Sequence, residues 1–246
     1  MFGEWRYNTD GIDVVNSQRV SIKNTFVHSF DDTIVIKGID RFFQTSTTDD
    51  LVENCDLCCD WGRTCELGLE TACREFKNIT FRNCDIIRAA HTALSIHNGD
   101  CAEIHDVLFE NISLELESFY TKHQVQKRDD EVYSQTDVEP TILFGVNNNR
   151  FRDNYPLVAV DYAVGAPSFA GAHDIIARNI SVYCDEKLLK EKGTKIVRVN
   201  VKNGIPTTEF YNISLKNVTL NGNALTADDV DIEMAGEGSI KNFDIL

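Results

Sequence analysis

The sequence contains no long hydrophobic run and is short of basic residues. No stretch of about 18 consecutive apolar residues occurs, and this excludes a helix that spans a membrane. Lysine and arginine number 24 against 39 aspartate and glutamate residues, so the formal net charge is −15. An acidic surface repels phosphate groups and anionic lipids. We therefore expect neither nucleic acid nor a membrane as a partner.

Proline is scarce as well, with only 4 residues among 246. Asn, Asp, Thr, Ile and Val are common instead, and this mixture is typical of β-strands that are broken by polar turns. The length and the hydrophobic content of 42% suffice for one core. We expect one domain over residues 1–246.

The eight cysteines form no recognisable metal motif. Cys55, Cys58, Cys59 and Cys65 are closely spaced, but there is no paired CxxC…CxxC and no histidine near them in the sequence. We expect no metal site and no cofactor.

An internal repeat is the strongest organisational signal. Four units begin with an asparagine that is followed by alternating apolar residues: NTFV from Asn24, NCDL from Asn54, NCDI from Asn83 and NISL from Asn111. The spacings are 30, 29 and 28 residues, and the pattern returns around residues 179 and 217. Strands this short cannot bury an apolar face alone, whereas stacked coils can.

The repeat favours an all-β solenoid, and we predict a right-handed parallel β-helix. The LxxLxL signature of leucine-rich repeats is missing, and a β-sandwich would not repeat one motif at so regular a period. Residues of about 118–172 break the pattern. We interpret them as an irregular loop excursion that either walls a binding cleft or is a solvated insertion.

The repeat also assigns roles to cysteines and asparagines. Cys55 and Cys84 occupy the position of Ile112 and Ile180, so we expect them to be buried, neighbouring and reduced. Five of the asparagines begin NxS/T strings, and we interpret them as turn residues rather than as glycosylation sites. They are Asn78, Asn111, Asn179, Asn212 and Asn217.

Three aspartates converge when the first coils are aligned. Pairing Ile12 with Ile34 places Asp10 opposite Asp32, and parallel strands lie about 4.8 Å apart. Asp31 is next to Asp32 in the chain. Crowded carboxylates raise the pKa of at least one of them. Glycoside hydrolysis needs one protonated and one ionised carboxyl, which this trio would supply, although aspartates can also simply cap turns.

The motifs NTDGID and SFDDTIVIKG resemble glycoside hydrolase family 28, the polygalacturonase family of the pectin-lyase-like β-helix superfamily. The resemblance covers about residues 8 to 116. It implies a secreted or periplasmic enzyme that hydrolyses a carbohydrate with inversion. It also implies that Asp31 is the general acid and that Asp10 and Asp32 activate the water.

The substrate motifs depart from those of the family. In DWGRTCELG, Arg63 replaces the histidine of the family's Gly-His pair, and Glu66 adds a negative charge. In ALSIHN, Ser95 and His97 replace an Arg-x-Lys pair that binds the galacturonate carboxylate. A site that loses these cations is poorly suited to polygalacturonate, so we expect a different carbohydrate.

Strand alternation gives further candidates for substrate binding. Arg63 falls in register with Asp10 and Asp32, where it could hold the sugar or pair with Asp32. Lys37 points away from the core, where it could line a cleft or be solvated. The candidates for substrate binding are Arg63, His97, Lys37, Glu66 and Ser95.

Alternatives to a hydrolase stay open at this point. They are a non-catalytic β-helix that binds glycans, a polysaccharide lyase and an inactive fragment. The start of the sequence, MFGEWRYNTDG, lacks the features of a secretory signal, yet a catalytic-type motif begins at Asn8. We therefore expect a fragment of a longer β-helix that lacks its N-terminal rungs and exposes an uncapped end.

Overall fold

A computed structural model of the protein describes residues 8–40, 42, 44–100, 102–116, 143–148, 171–192, 195–201, 209–234 and 239–246. Nearly all regular structure in them is β-strand. One helix, α1 (Glu186–Lys192), and one 3-10 turn (Ala227–Asp229) occur in the described residues. The strands are β1 (Ile12–Val15), β2 (Ser21–Lys23), β3 (Phe26–Ser29), β4 (Ile34–Ile39), β5 (Ser46–Thr48), β6 (Leu51–Glu53), β7 (Asp56–Cys59), β8 (Cys65–Ala72), β9 (Glu75–Ala89), β10 (Leu94–Asn98), β11 (Glu103–Leu116), β12 (Phe144–Asn148), β13 (Gly171–Cys184), β14 (Val197–Val201), β15 (Glu209–Leu220), β16 (Asn223–Ala224), β17 (Val230–Met234) and β18 (Ser239–Ile245).

The strands form two sheets. The first sheet has the order β1-β4-β8-β10-β12-β14-β17. The second contains β16-β15-β13-β11-β9-β6-β2 in this order, with β3, β5, β7 and β18 paired alongside. Neighbouring strands run parallel, apart from the antiparallel pair β15–β16. Stacked parallel rungs of this kind are consistent with a β-helix.

Asparagines turn the corners of the second sheet, as the repeat predicts. Asn24, Asn54, Asn83 and Asn111 all have φ between 52° and 56°, the left-handed region that asparagine tolerates. Asn54 Nδ2 donates to Asn24 Oδ1 at 3.3 Å, and Asn111 Nδ2 donates to Asn83 Oδ1 at 3.0 Å. The predicted stack of these asparagines is therefore confirmed.

The ladder continues through the sequon asparagines. Asn179 donates to Asn111 and Asn217 donates to Asn179, both at 2.9 Å. Asn78 and Asn212 form a second ladder, in which their amides donate to Asp49 and Asp174. All five sequon asparagines thus lie at left-handed corners, as predicted, and their amide groups donate to side chains at the neighbouring corner.

The core consists of side chains stacked from rung to rung. Cys84 is in register with Ile112, and Ile112 is in register with Ile180. Cys55 and Cys84 are each 1% exposed, interact with each other and are free thiols. The expectation for these two cysteines is confirmed. Phe81 and Phe109 stack in the same core with their ring centroids 5.4 Å apart.

Two expectations fall largely outside the described residues. Residues 1–7, and with them the uncapped end and the missing rungs, are not among them. Most of the excursion at about 118–172 is also outside, but residues 144–148 form β12 of the first sheet and residues 171–172 begin β13. In the described part of the chain, no helix has the length and apolar character needed to cross a membrane.

The asparagine ladder gives a prediction for stability. Asn111→Ala removes one donated and one accepted amide hydrogen bond. It also places alanine at φ 53°, in the left-handed region that alanine tolerates less well than asparagine. We expect a loss of roughly 1–3 kcal/mol in the free energy of unfolding, measured by urea denaturation. Asn111→Gly loses the same bonds without the left-handed strain and should cost less. Equal losses in both variants would contradict the contribution of backbone strain.

Candidate active site

The register of β1 and β4 brings Asp10 and Asp32 together. Ile12 pairs with Ile34, and Val14 pairs with Ile36, as the sequence predicts. One step before this pairing, the Gly11 amide donates to the Asp32 carbonyl oxygen at 2.8 Å. Asp10 therefore stands opposite Asp32, each two residues before its strand begins.

A tight turn between β3 and β4 presents Asp31 beside this pair. The Ser29 hydroxyl donates to the Asp31 carbonyl oxygen at 2.6 Å, and the Cys59 thiol donates to the same oxygen at 3.4 Å. Gly62 lies against the turn. A Cβ atom on Gly62 would come within 2.4 Å of the Asp32 nitrogen and 2.7 Å of Asp31 Oδ1, so only glycine fits there.

Asp31 sits in an environment that favours its protonated form. Its carboxylate accepts backbone hydrogen bonds from Asn8 at 2.9 Å and from Asp32 at 3.1 Å. Burial raises the pKa of Asp31 to about 7, and the negative charge of Asp32 contributes to the rise. Asp31 can therefore hold a proton near neutral pH.

Asp10 is held by Lys37. The Lys37 ammonium donates to Asp10 Oδ2 at 2.9 Å and to Asp13 at 2.8 Å. Burial raises the pKa of Asp10 to about 6, against the opposing effect of Lys37. Burial also disfavours the charge of Lys37, but its bonds to Asp13 and Asp10 outweigh this and raise its pKa above the ordinary value. Lys37 is only 12% exposed, so the solvated alternative is wrong.

Arg63 contacts two acids with different parts of the residue. Its backbone amide donates to Asp32 Oδ1 at 2.8 Å. Its side-chain Nε lies 3.3 Å from Glu66 Oε1. The alternative in which Arg63 pairs with Asp32 therefore holds for the main chain, whereas the guanidinium forms an ion pair with Glu66.

Glu66 is a fully buried acid next to the aspartates. Its side chain is 0% exposed, and its Oε1 accepts a hydrogen bond from Ser95 at 3.2 Å. Oε2 receives no hydrogen bond from a donor in the described residues, and the negative charge of Asp32 acts on the carboxyl. Burial raises the pKa of Glu66 well above its usual range, against the charge of Arg63.

His97 shares this closed part of the face. Leu94 and Ile96 lie in the core, so Ser95 and His97 point to the other side of β10, as predicted. Both are nevertheless buried, because Ser95, Glu66 and His97 pack against one another instead of facing solvent. Burial, and then the charge of Arg63, lowers the pKa of His97 well below its usual range. Neither ring nitrogen has a hydrogen-bond partner in the part of the chain that the structure describes.

Sequence reasoning missed two contributors to the site. Asp13 and Val15 are two residues apart on β1, so their side chains lie on the same face of the sheet. Because Val15 pairs with Lys37, alternation and register together could have placed Asp13 beside that lysine. Gly62 could not be found in this way, because its role depends on a close approach to the Asp31–Asp32 turn. Trp61 stacks on Phe30 with a centroid distance of 5.6 Å, as a packed aromatic does.

The arrangement supplies two carboxyl groups that are poised for proton transfer. The pKa values of about 6 for Asp10 and about 7 for Asp31 leave one group ionised and the other protonated near neutral pH. Such a pair can donate a proton to a leaving group and accept one from water.

Comparisons with known proteins agree with this chemistry. Residues 3–121 match the model of the family described as Glycosyl hydrolases family 28. Proteins named "Probable endopolygalacturonase D" from Aspergillus flavus and Aspergillus oryzae are each 26% identical over 111 residues, which is 44% of this chain. The matched part spans 20% of the length of these relatives. No solved structure matches the chain. Over residues 3–121, the chain therefore resembles the glycosyl hydrolases of family 28.

Proposed function

We propose that the chain is a carbohydrate hydrolase that inverts the anomeric centre and uses Asp10, Asp31 and Asp32 as its acid/base groups. The observation that carries this proposal is the register that sets Asp10 against Asp32, with the raised pKa of Asp31 beside them. The resemblance to family 28 supports the same reaction class. The proposal includes a right-handed parallel β-helix as one domain and a location outside the cytoplasm, where polysaccharides occur.

In the proposed reaction, the proton of Asp31 goes to the glycosidic oxygen as the bond to the anomeric carbon breaks. Asp10 and Asp32 hold a water molecule on the opposite face of the sugar and take its proton as its oxygen attacks that carbon. At the end of the step Asp31 is ionised, and Asp10 and Asp32 together carry one additional proton. Exchange with solvent restores both groups, so that no cofactor takes part in this route.

The charges around the trio favour a neutral sugar over a uronic acid. Lys37 is already neutralised by Asp10 and Asp13, and the guanidinium of Arg63 is held against the Glu66 carboxyl. A uronate carboxylate would have to compete with Asp10 and Asp13 for Lys37. We therefore propose a neutral glycan as the substrate, although the matched relatives are named endopolygalacturonases.

A panel of polysaccharides tests the function. The chain is incubated with neutral glucans, galactans, xylans and polygalacturonate, and proton NMR follows the anomer that forms first. We expect release of the inverted anomer from a neutral glycan. Initial retention of configuration would contradict the mechanism. Preferred cleavage of polygalacturonate would contradict the substrate and leave the mechanism intact.

The two raised pKa values predict a narrow pH profile. Asp31 must be protonated to act as the acid, so activity should fall as pH rises through its pKa of about 7. Asp10 must be ionised, so activity should fall as pH drops through its pKa of about 6. We expect a bell-shaped dependence of kcat/KM with limbs near these values, which belong to the interacting pair. Activity that continued to rise above about pH 8 would exclude Asp31 as the acid.

A further inference from the structure

A second cluster of reactive side chains lies behind the Asp31–Asp32 turn. His28 of β3 pairs in register with Cys58 of β7, and Asp60 follows two residues later. The ligand atoms of the three side chains all lie within 4.8 Å of one another. No histidine lies near the cysteines in the sequence, but one rung of the fold brings His28 to Cys58.

The cluster is accessible and its carboxylate is already oriented. The His28 side chain is 41% exposed, whereas that of Asp60 is 11% exposed. Arg88 Nη1 holds Asp60 Oδ1 at 2.7 Å, and Asp60 Oδ2 is directed at His28 Nε2 at 2.8 Å. A partner that fixes one carboxylate oxygen and leaves the other directed into a site is common around metal ligands.

We propose that His28, Cys58 and Asp60 form a Zn²⁺ site, with His28 Nε2, the Cys58 sulfur and Asp60 Oδ2 as ligands. An imidazole, a thiolate and a carboxylate suit zinc, whereas Ca²⁺ and Mg²⁺ prefer oxygen ligands alone. Zinc is four-coordinate with such ligands, so a water molecule would complete the site.

Charge and geometry allow the ion to enter. The Cys58 thiol releases its proton to solvent on binding, and the thiolate and the Asp60 carboxylate then oppose the two charges of zinc and the single charge of Arg88. The ion replaces the hydrogen bond between His28 and Asp60. The His28 side chain is exposed and can move to widen this gap. Arg88 keeps its contact with the other Asp60 oxygen.

The site would brace the segment that carries the proposed catalytic acids. His28 is directly followed by Ser29, whose hydroxyl fixes the Asp31 carbonyl oxygen. Zinc here would therefore join β3 to β7 beside the turn, in a structural role separate from the proposed hydrolysis.

Cobalt, a spectroscopic substitute for zinc, tests the site without any glycan. Metal-free chain is titrated with Co²⁺, then with Zn²⁺ in competition. We expect one ion per chain, a thiolate-to-cobalt absorption band in the near ultraviolet, and displacement by zinc. Cys58→Ser should abolish the band, and His28→Ala should weaken binding at least about 10-fold. Cys184→Ala, which removes a free thiol elsewhere in the chain, is the matched control.

Two results would overturn the proposal. One is the absence of a thiolate band in the parent chain. The other is equal binding by His28→Ala and the parent chain, which would indicate an adventitious ion only. His28 is exposed, so its variant should fold even if Cys58→Ser does not, and circular dichroism checks both. Because no substrate is used, failure of this test leaves the hydrolase proposal unaffected, and the reverse also holds.

Discussion

Replacing Asp31 with asparagine is expected to lower kcat by a factor of roughly 100 to 10,000, the usual effect of losing a general acid. The amide has nearly the shape of the carboxyl and can still accept a backbone hydrogen bond, such as the one from Asn8. It cannot deliver a proton to the leaving oxygen. Substrate binding should therefore largely survive, so that the loss is in kcat rather than in KM.

The matched control is Asp56→Asn. Asp56 is an exposed aspartate of β7 in the same solenoid, and the control makes the same aspartate-to-asparagine replacement away from the proposed site. Its kcat should stay within a factor of about 2 of the parent value, as expected for a surface substitution. Full activity of Asp31→Asn, measured on the glycan that the panel identifies, would remove Asp31 from the mechanism.

Thermal unfolding tests the raised pKa of Asp31 independently of any substrate. The folded pKa of Asp31 is raised from 3.8 to about 7, so folding favours the protonated form and ionisation costs stability as pH rises between these values. Asparagine does not ionise. Relative to the parent, Asp31→Asn should therefore gain in Tm as pH rises from about 4 to about 7. A carboxylate that the fold holds in its ionised form, with a lowered pKa, would give the opposite trend.

Much of the fold could be predicted because one local rule repeats in every coil. The left-handed corners at Asn24, Asn54 and Asn83 recur at nearly constant spacing, and this spacing fixes the register of the strands between them. Register then determines which residues stack in the core, and Cys84 could be placed on Ile112 for this reason. The same logic placed Asp10 opposite Asp32.

The remainder of the site depends on contacts that alternation does not determine. The alternation of side chains along a strand indicates on which side of β10 His97 lies, but it does not show that this side is closed to solvent. Alternation also could not show that the Arg63 guanidinium contacts Glu66, because this contact depends on the rotamers of the two side chains. Alternation alone does not pair His28 with Cys58, but each lies four residues after a repeated asparagine, so the 30-residue spacing of the repeat could have paired them.

The second large effect on kcat is expected at Gly62, which has no reactive side chain. Gly62→Ala should reduce kcat by roughly 100-fold, because a displacement of about 1 Å in reacting groups has effects of this size. The added methyl carbon would lie 2.4 Å from the Asp32 nitrogen and 2.5 Å from the Asp31 carbonyl carbon. These are backbone atoms, so a rotamer change cannot relieve the contact and the turn itself must move.

Stability should fall less than activity in this variant. Overpacking of this kind costs typically about 1–3 kcal/mol, which urea denaturation can measure, and the chain should still fold. Gly145→Ala in β12 is the matched control, because its Cβ would meet first a methyl group of Thr92, at 3.2 Å. That side chain can yield, so the control should keep most of its activity. If both variants lost activity equally, the loss would reflect general disturbance of the first sheet. If Gly62→Ala alone lost activity, the position of the Asp31–Asp32 turn would be what the reaction depends on.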